Sequence, residues 1–211
     1  MNITAAVTVL PSPGHRYTTM INQQRLIDNF MSIVQIDSTT GNEDEMAASI
    51  VSIAQKLGYR PVIDRAGNVI ISCPGIGEPL LFTAHMDTVE PGNGIKPRIN
   101  KGVIKSDGTT ILGADNKAAV AVLLELLTLC SIQQHSGRPL EFVFTRSEES
   151  GNIGATNLDA SLLKSKVGYS FDSGEPLGTV FIGSPFYDRF DITITGKSAH
   201  ASIPEEGNNA L

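Results

Sequence analysis

The 211 residues are 41% hydrophobic and 18% charged, the balance of a folded globular protein, and this excludes both a disordered and a membrane chain. A formal charge of −6, with no clustering of Lys and Arg, excludes nucleic acid as the expected partner. Only Cys73 and Cys130 are present, far apart and outside any CxxC pattern, so neither a disulfide framework nor a thiolate zinc site is indicated.

Residues 3–10 are apolar but are preceded by no basic residue, so the charged start of a secretory signal is missing. No apolar run approaches the length of a membrane span, and a cytoplasmic protein is expected. Leu26, Ile27, Phe30, Met31, Ile33 and Val34 recur at helical spacing and predict an amphipathic helix. Thr40 with Glu43 reads as a capping box for a second helix. Its apolar face is Met46, Ala47, Ile50, Val51, Ala54 and Leu57, and Gly58 is placed to end it.

Short β-branched runs at 61–64, 68–72 and 80–83, each bounded by Gly or Pro, predict strands. Residues 117–129 are apolar nearly all round and predict a buried helix, after which 140–145 and 167–171 resume as buried strands. This alternation predicts an α/β fold with a mixed, mostly parallel sheet and helices on both faces. After Pro185, Phe190, Ile192 and Ile194 alternate with polar residues, as in a strand with one wet face. The expected organisation is a catalytic domain over residues 1–185 and the beginning of a smaller α+β lid domain over 186–211.

Open α/β sheets carry their sites at the carboxyl ends of strands. His85 and Asp87 follow one apolar strand there; a His-x-Asp of this kind suits either a polar loop contact or a zinc-binding imidazole oriented by a carboxylate. Asp115, between a Gly-containing loop and the buried helix, suits either capping that helix or bridging two cations. Glu148 and Glu149 end a third apolar run, as ordinary surface or as a metal ligand beside a proton acceptor, and Asp172 ends a fourth. Four successive strand-to-loop transitions ending in His or carboxylate point to a hydrolytic metal site. With no thiolate in the set, Zn²⁺ is the expected ion, with Mn²⁺ or Co²⁺ as substitutes.

His85-Met86-Asp87-Thr88, Gly113-Ala114-Asp115-Asn116-Lys117, Glu148-Glu149 and Phe171-Asp172-Ser173-Gly174 resemble the successive motifs of the M20 metallopeptidases. Gly196-Lys197-Ser198-Ala199-His200-Ala201 resembles the lid signature of that family, and the peptidase T-like (tripeptide aminopeptidase) subgroup is the nearest. The resemblance implies a zinc-exopeptidase-like fold and a two-metal exopeptidase that cleaves short peptides through a metal-bridging water. It assigns His85 and Asp172 to one ion, Glu149 to the other and Asp115 between them, with a cis Asp115–Asn116 peptide. Asp87 orients His85, Glu148 is the general base, and His200 stabilises the oxyanion, with Asn208 in the same stretch. A homodimer through the lid domain is the implied assembly.

The family completes its second metal with a histidine that follows the lid, and no residue here matches it; His15 and His135 lie outside the motifs. The expectation is therefore an incomplete chain, with little activity from these 211 residues alone. Two other readings share the metal ligands: an M20 deacylase of N-acyl amino acids, and a non-catalytic metal-binding fragment.

Overall fold

In the computed structural model, residues 7–8, 21–132, 137–183, 188 and 190–210 are described. His15 and His135 lie outside them. The chain divides into two compact units, Met1–Ser173 and Gly174–Leu211; the sequence had placed the domain change after residue 185.

Helix α1 (Gln23–Ile33) starts at Asn22, whose side chain accepts from the amide of Arg25 at 2.9 Å, and it buries Phe30 and Ile33. Helix α2 (Asp44–Lys56) buries Met46, Ala47, Ile50 and Ala54 and ends at Gly58, which takes the φ of +89° that a side chain would resist. Helix α3 (Ala114–Ile132) is buried along most of its length, as an apolar pattern on all sides requires. The expected capping box does not form. Helix α2 begins one residue after Glu43, which makes no side-chain cap bond, and Thr40 and Glu43 both turn toward other partners.

The strands are β1 (Val7–Thr8), β2 (Val62–Ile63), β3 (Val69–Cys73), β4 (Leu80–His85), β5 (Arg98–Asn100), β6 (Val103–Lys105), β7 (Leu140–Thr145) and β8 (Gly168–Ser170). The central sheet has the order β2-β3-β7-β4-β8. β7, β4 and β8 run parallel, while β2 and β3 are antiparallel additions, so the sheet is mixed as expected. Val69, Ile71, Cys73, Phe82, Ala84, Phe142 and Phe144 on one face share a core with α1, α2 and α3. On the other face Ile70 and Val143 are buried, and Glu141 accepts from the amides of Lys164 and Ser165, which follow the short helix α4 (Ile153–Thr156) and a 3-10 turn at Ala160–Leu162.

A small sheet, β1-β6-β5, is a separate feature that the sequence reading missed. Its hairpin turns at Lys101 and Gly102, both at positive φ. In the second unit, Lys197 and Asn208 form an antiparallel bridge. The strand expected from Phe190, Ile192 and Ile194 does not form: the three side chains are exposed and their backbone joins no ladder among the described residues. Alternating polarity makes a strand only where a partner takes up its amides. No helix among the described residues is long and apolar enough to cross a membrane.

Candidate metal centre

Parallel pairing assembles the centre. His85 on β4 is in register with Thr145 on β7, so the residues that leave both strands emerge side by side. β8 lies on the other side of β4, where the amide of Phe171 donates to the carbonyl of Thr83 and delivers Asp172 to the same end. Asp115 arrives from the start of α3, outside helical geometry at φ −83° and ψ 108° and ahead of a cis peptide to Asn116.

Asp87, fully buried, is the hub. One of its oxygens lies 3.2 Å from Nδ1 of His85 and accepts from the amide of Glu148 at 2.9 Å. The other accepts from the amide of Glu149 at 3.1 Å and from the hydroxyl of Thr40 at 2.8 Å. Thr40 is held nearby because its amide donates to the carbonyl of Thr88. These bonds fix the imidazole so that Nε2 faces Asp115, 3.1 Å from its carboxylate. Ligand atoms of His85, Asp115 and Glu149 lie within 4.8 Å of one another, as do those of His85, Glu148 and Asp172. Six of the residues singled out in the sequence thus converge on one spot. Glu148 stands within the same reach of His85 as the proposed ligands.

Charge explains what this spot would hold. Burial alone would lower the His85 pKa, but the hydrogen-bonded carboxylates of Asp115 and Asp87 outweigh it and raise it to about 10. Glu148, Glu149 and Asp172 are all pushed above the usual carboxylate range, by burial first and then by neighbouring negative charge, that of Asp87 and Asp115 in every case, with His85 opposing. Asp87 goes the other way: its hydrogen bonds to His85, the two amides and Thr40 overcome its burial. Only added positive charge relieves such a cluster. One imidazole nitrogen and four carboxylates form an oxygen-rich donor set without sulfur, which fits divalent Zn²⁺, Mn²⁺ or Co²⁺.

His200 lies in the second unit, exposed, with the amide of Ser202 donating to its Nδ1 at 3.2 Å. Asn208 is engaged through its backbone with Lys197. The sequence reading missed three buried supports. Glu43 accepts from Arg146 and Ser147, Asn68 accepts from the amide of Arg146, and Lys117 donates to the carbonyl of Ile36 at 2.6 Å. Burial lowers the Lys117 ammonium to about 8, with Asp37 opposing.

Glu43 makes a testable contribution to stability. Burial would raise its pKa, but the hydrogen bonds from Arg146 and from the amides of Gly41 and Ser147 hold it below the ordinary 4.5. The unfolded chain therefore takes up this proton more readily than the folded one. The resulting stabilisation is complete above pH 4.5 and is lost as pH falls through the depressed folded value. A Glu43→Gln variant is expected to lose on the order of 3 kcal/mol at neutral pH. Its urea unfolding free energy should also decline less steeply below pH 4.5 than that of the native chain; parallel declines would refute the assignment.

The chain is 38% identical over 203 residues to the "Uncharacterized protein YqjE" of Bacillus subtilis (strain 168), covering 91% of this chain and 55% of that one. Among solved structures, a tripeptidase from Staphylococcus aureus subsp. aureus Mu50 superposes with a TM-score of 0.76 at 40% identity, covering 90% of this chain and 54% of that one. Aminopeptidase PepT from Bacillus cereus ATCC 10987 follows, with a TM-score of 0.72 at 38% identity and 90% and 54% coverage. The chain spans about half the length of these relatives. The motifs in the sequence suggested M20, whereas the family model that matches, over residues 68–186, is named Peptidase family M28. That match covers more than half of the sequence and includes every carboxylate and histidine of the centre, and on it the chain belongs to peptidase family M28.

Proposed function

We propose that these residues form the metal-binding half of a dinuclear exopeptidase of the peptidase T-like, M20 kind, which releases the N-terminal residue of short peptides such as tripeptides. The observation that carries the reading is the Asp87 hub: a single carboxylate holds His85 and both amides of the Glu148–Glu149 pair, so imidazole and carboxylates meet at one point. The likeness to a tripeptidase and to an aminopeptidase supports the substrate class.

In this reading His85 and Asp172 would hold one ion and Glu149 the other, with the Asp115 carboxylate available to both. Zinc is the proposed metal, with manganese or cobalt as substitutes. When bound, two such ions supply Lewis acidity toward the peptide carbonyl and lower the pKa of water to about 7. Asp87 keeps the His85 ring in place through Nδ1, leaving Nε2 for a cation. Glu148, whose pKa is raised by burial and by its acidic neighbours, takes a proton from the attacking water and returns it to the leaving amine. His200 donates to the carbonyl oxygen as negative charge develops there. Dimerisation through the second unit belongs to the proposal, and so does a cytoplasmic location, which suits the two buried, unpaired thiols.

The full-length protein, stripped with a chelator and reloaded with zinc, manganese or cobalt, should be assayed on tripeptides, dipeptides and N-acyl amino acids. Turnover of tripeptides that vanishes on chelation and returns with metal is the expected outcome. Cleavage of acyl amino acids alone would replace the reading by deacylation, and no turnover with any metal would end it.

A further inference from the structure

The loop that carries both glutamates is held by more than Asp87. Four consecutive amides each meet a side-chain acceptor from a different part of the chain. Arg146 donates to Asn68 at 3.1 Å, Ser147 to Glu43 at 2.9 Å, Glu148 to Asp87 at 2.9 Å and Glu149 to Asp87 at 3.1 Å. All three acceptors are fully buried.

We propose that Glu43 is a positioning residue for the metal centre: with Asn68 and Asp87 it clamps these four amides and so sets where the Glu148 and Glu149 carboxylates stand. The proposal rests on reading that centre as metal-binding. Ser147 has φ +49°, a left-handed conformation that a residue with a Cβ keeps only where its surroundings impose it. Glu43 imposes it twice, since one oxygen accepts both the amide and the hydroxyl of Ser147, the latter at 3.0 Å. Its other oxygen takes the fork of Arg146 at 3.0 and 2.8 Å. The first oxygen is also tied to its own segment by the amide of Gly41 at 3.1 Å.

The clamp has work to do because the carboxylates it presents repel one another. Without a cation, a free loop would relax outward, away from Asp115 and Asp172, and its return would cost part of the binding energy. A loop fixed beforehand keeps that energy for the metal. Glu43 touches no ligand atom and acts only through residues 146–147, which is why its effect must be read on metal binding as well as on stability.

The test uses the full-length protein stripped of metal, zinc alone, and two variants, Glu43→Gln and Glu125→Gln. The second breaks the half-buried ion pair of Glu125 with Arg25, between α3 and α1, and leaves the loop untouched. Zinc affinity by calorimetry and amide hydrogen exchange at residues 146–149 of the metal-free chain are the readouts. Glu43→Gln is expected to bind zinc about tenfold more weakly and to exchange faster at these amides, whereas Glu125→Gln lowers the melting temperature with zinc affinity within about twofold of native. Native affinity in Glu43→Gln, or equal losses in both variants, overturns the proposal. If the native chain binds no zinc, it is the metal reading that fails, and unchanged exchange in Glu43→Gln would then overturn the clamp separately. Should Glu43→Gln not fold, Ser147→Ala removes one bond of the clamp and is expected to cost roughly threefold in affinity; no loss there refutes the proposal equally.

Discussion

Replacing Glu148 by Gln in the full-length protein is expected to lower kcat on short peptides about a thousandfold while KM changes little, because a positioned general base contributes roughly 10²–10⁴. The substitution preserves volume and leaves the amide of residue 148 free to donate to Asp87, so the loop keeps its place. What disappears is the carboxylate proposed as the proton acceptor. Its pKa is raised by burial and by Asp172, Asp87 and Asp115, which suits a group that must pick up and release one proton per turnover. Metal content measured alongside kcat decides between roles, since the Glu148 carboxylate is also within reach of His85 and Asp172. Two ions retained with kcat lost identifies a base. One ion lost reassigns Glu148 to the ligands and makes Glu149 the candidate base.

Asp87→Asn should weaken zinc binding by roughly 10–100-fold, the usual cost of removing the partner that orients a ligating histidine. Four donors converge on this carboxylate: His85, the hydroxyl of Thr40 and the amides of Glu148 and Glu149. An amide offers one accepting oxygen and turns an NH₂ toward donors, so at least one buried group loses its partner. The imidazole then has no reason to keep Nδ1–H toward residue 87 and Nε2 toward Asp115. Zinc titration of the metal-free variant, with circular dichroism to verify folding, provides the measurement. Affinity within about twofold of native would show that Asp87 does not orient the ligand.

Much of the centre could be read along the chain. His85, Asp115, Glu148 and Glu149 each follow or precede an apolar segment whose composition marks it as buried, whereas residues 167–171, expected as a buried strand ahead of Asp172, pair with β4 at the sheet edge and are exposed. A polar group at such a junction is positioned by the backbone that precedes it. The helices at residues 23–33, 44–56 and 114–132 were equally visible, because their apolar periodicity is local. Thr40 and Glu43 show where local reasoning misled. Their spacing satisfies a capping box, yet Thr40 bonds Asp87 and Glu43 bonds Arg146 and Ser147, partners 47 and about a hundred residues away. The strand expected near Phe190 failed for a related reason, since alternation describes a surface and not the partner strand needed to complete it.

Local chemistry along the chain was enough to establish the fold class, the donor types and the identity of most groups at the centre, because strand-end position and residue type are properties of short segments. The pairing β7-β4-β8, which sets His85, the Glu148–Glu149 pair and Asp172 side by side, came only with the folded chain. So did the hub role of Asp87 and the clamp that joins Asn68, Glu43 and Asp87 to four successive amides. Hydrogen bonds across 60 to 100 residues leave no periodicity behind, and a buried carboxylate is distinguished from a surface one only by what closes over it.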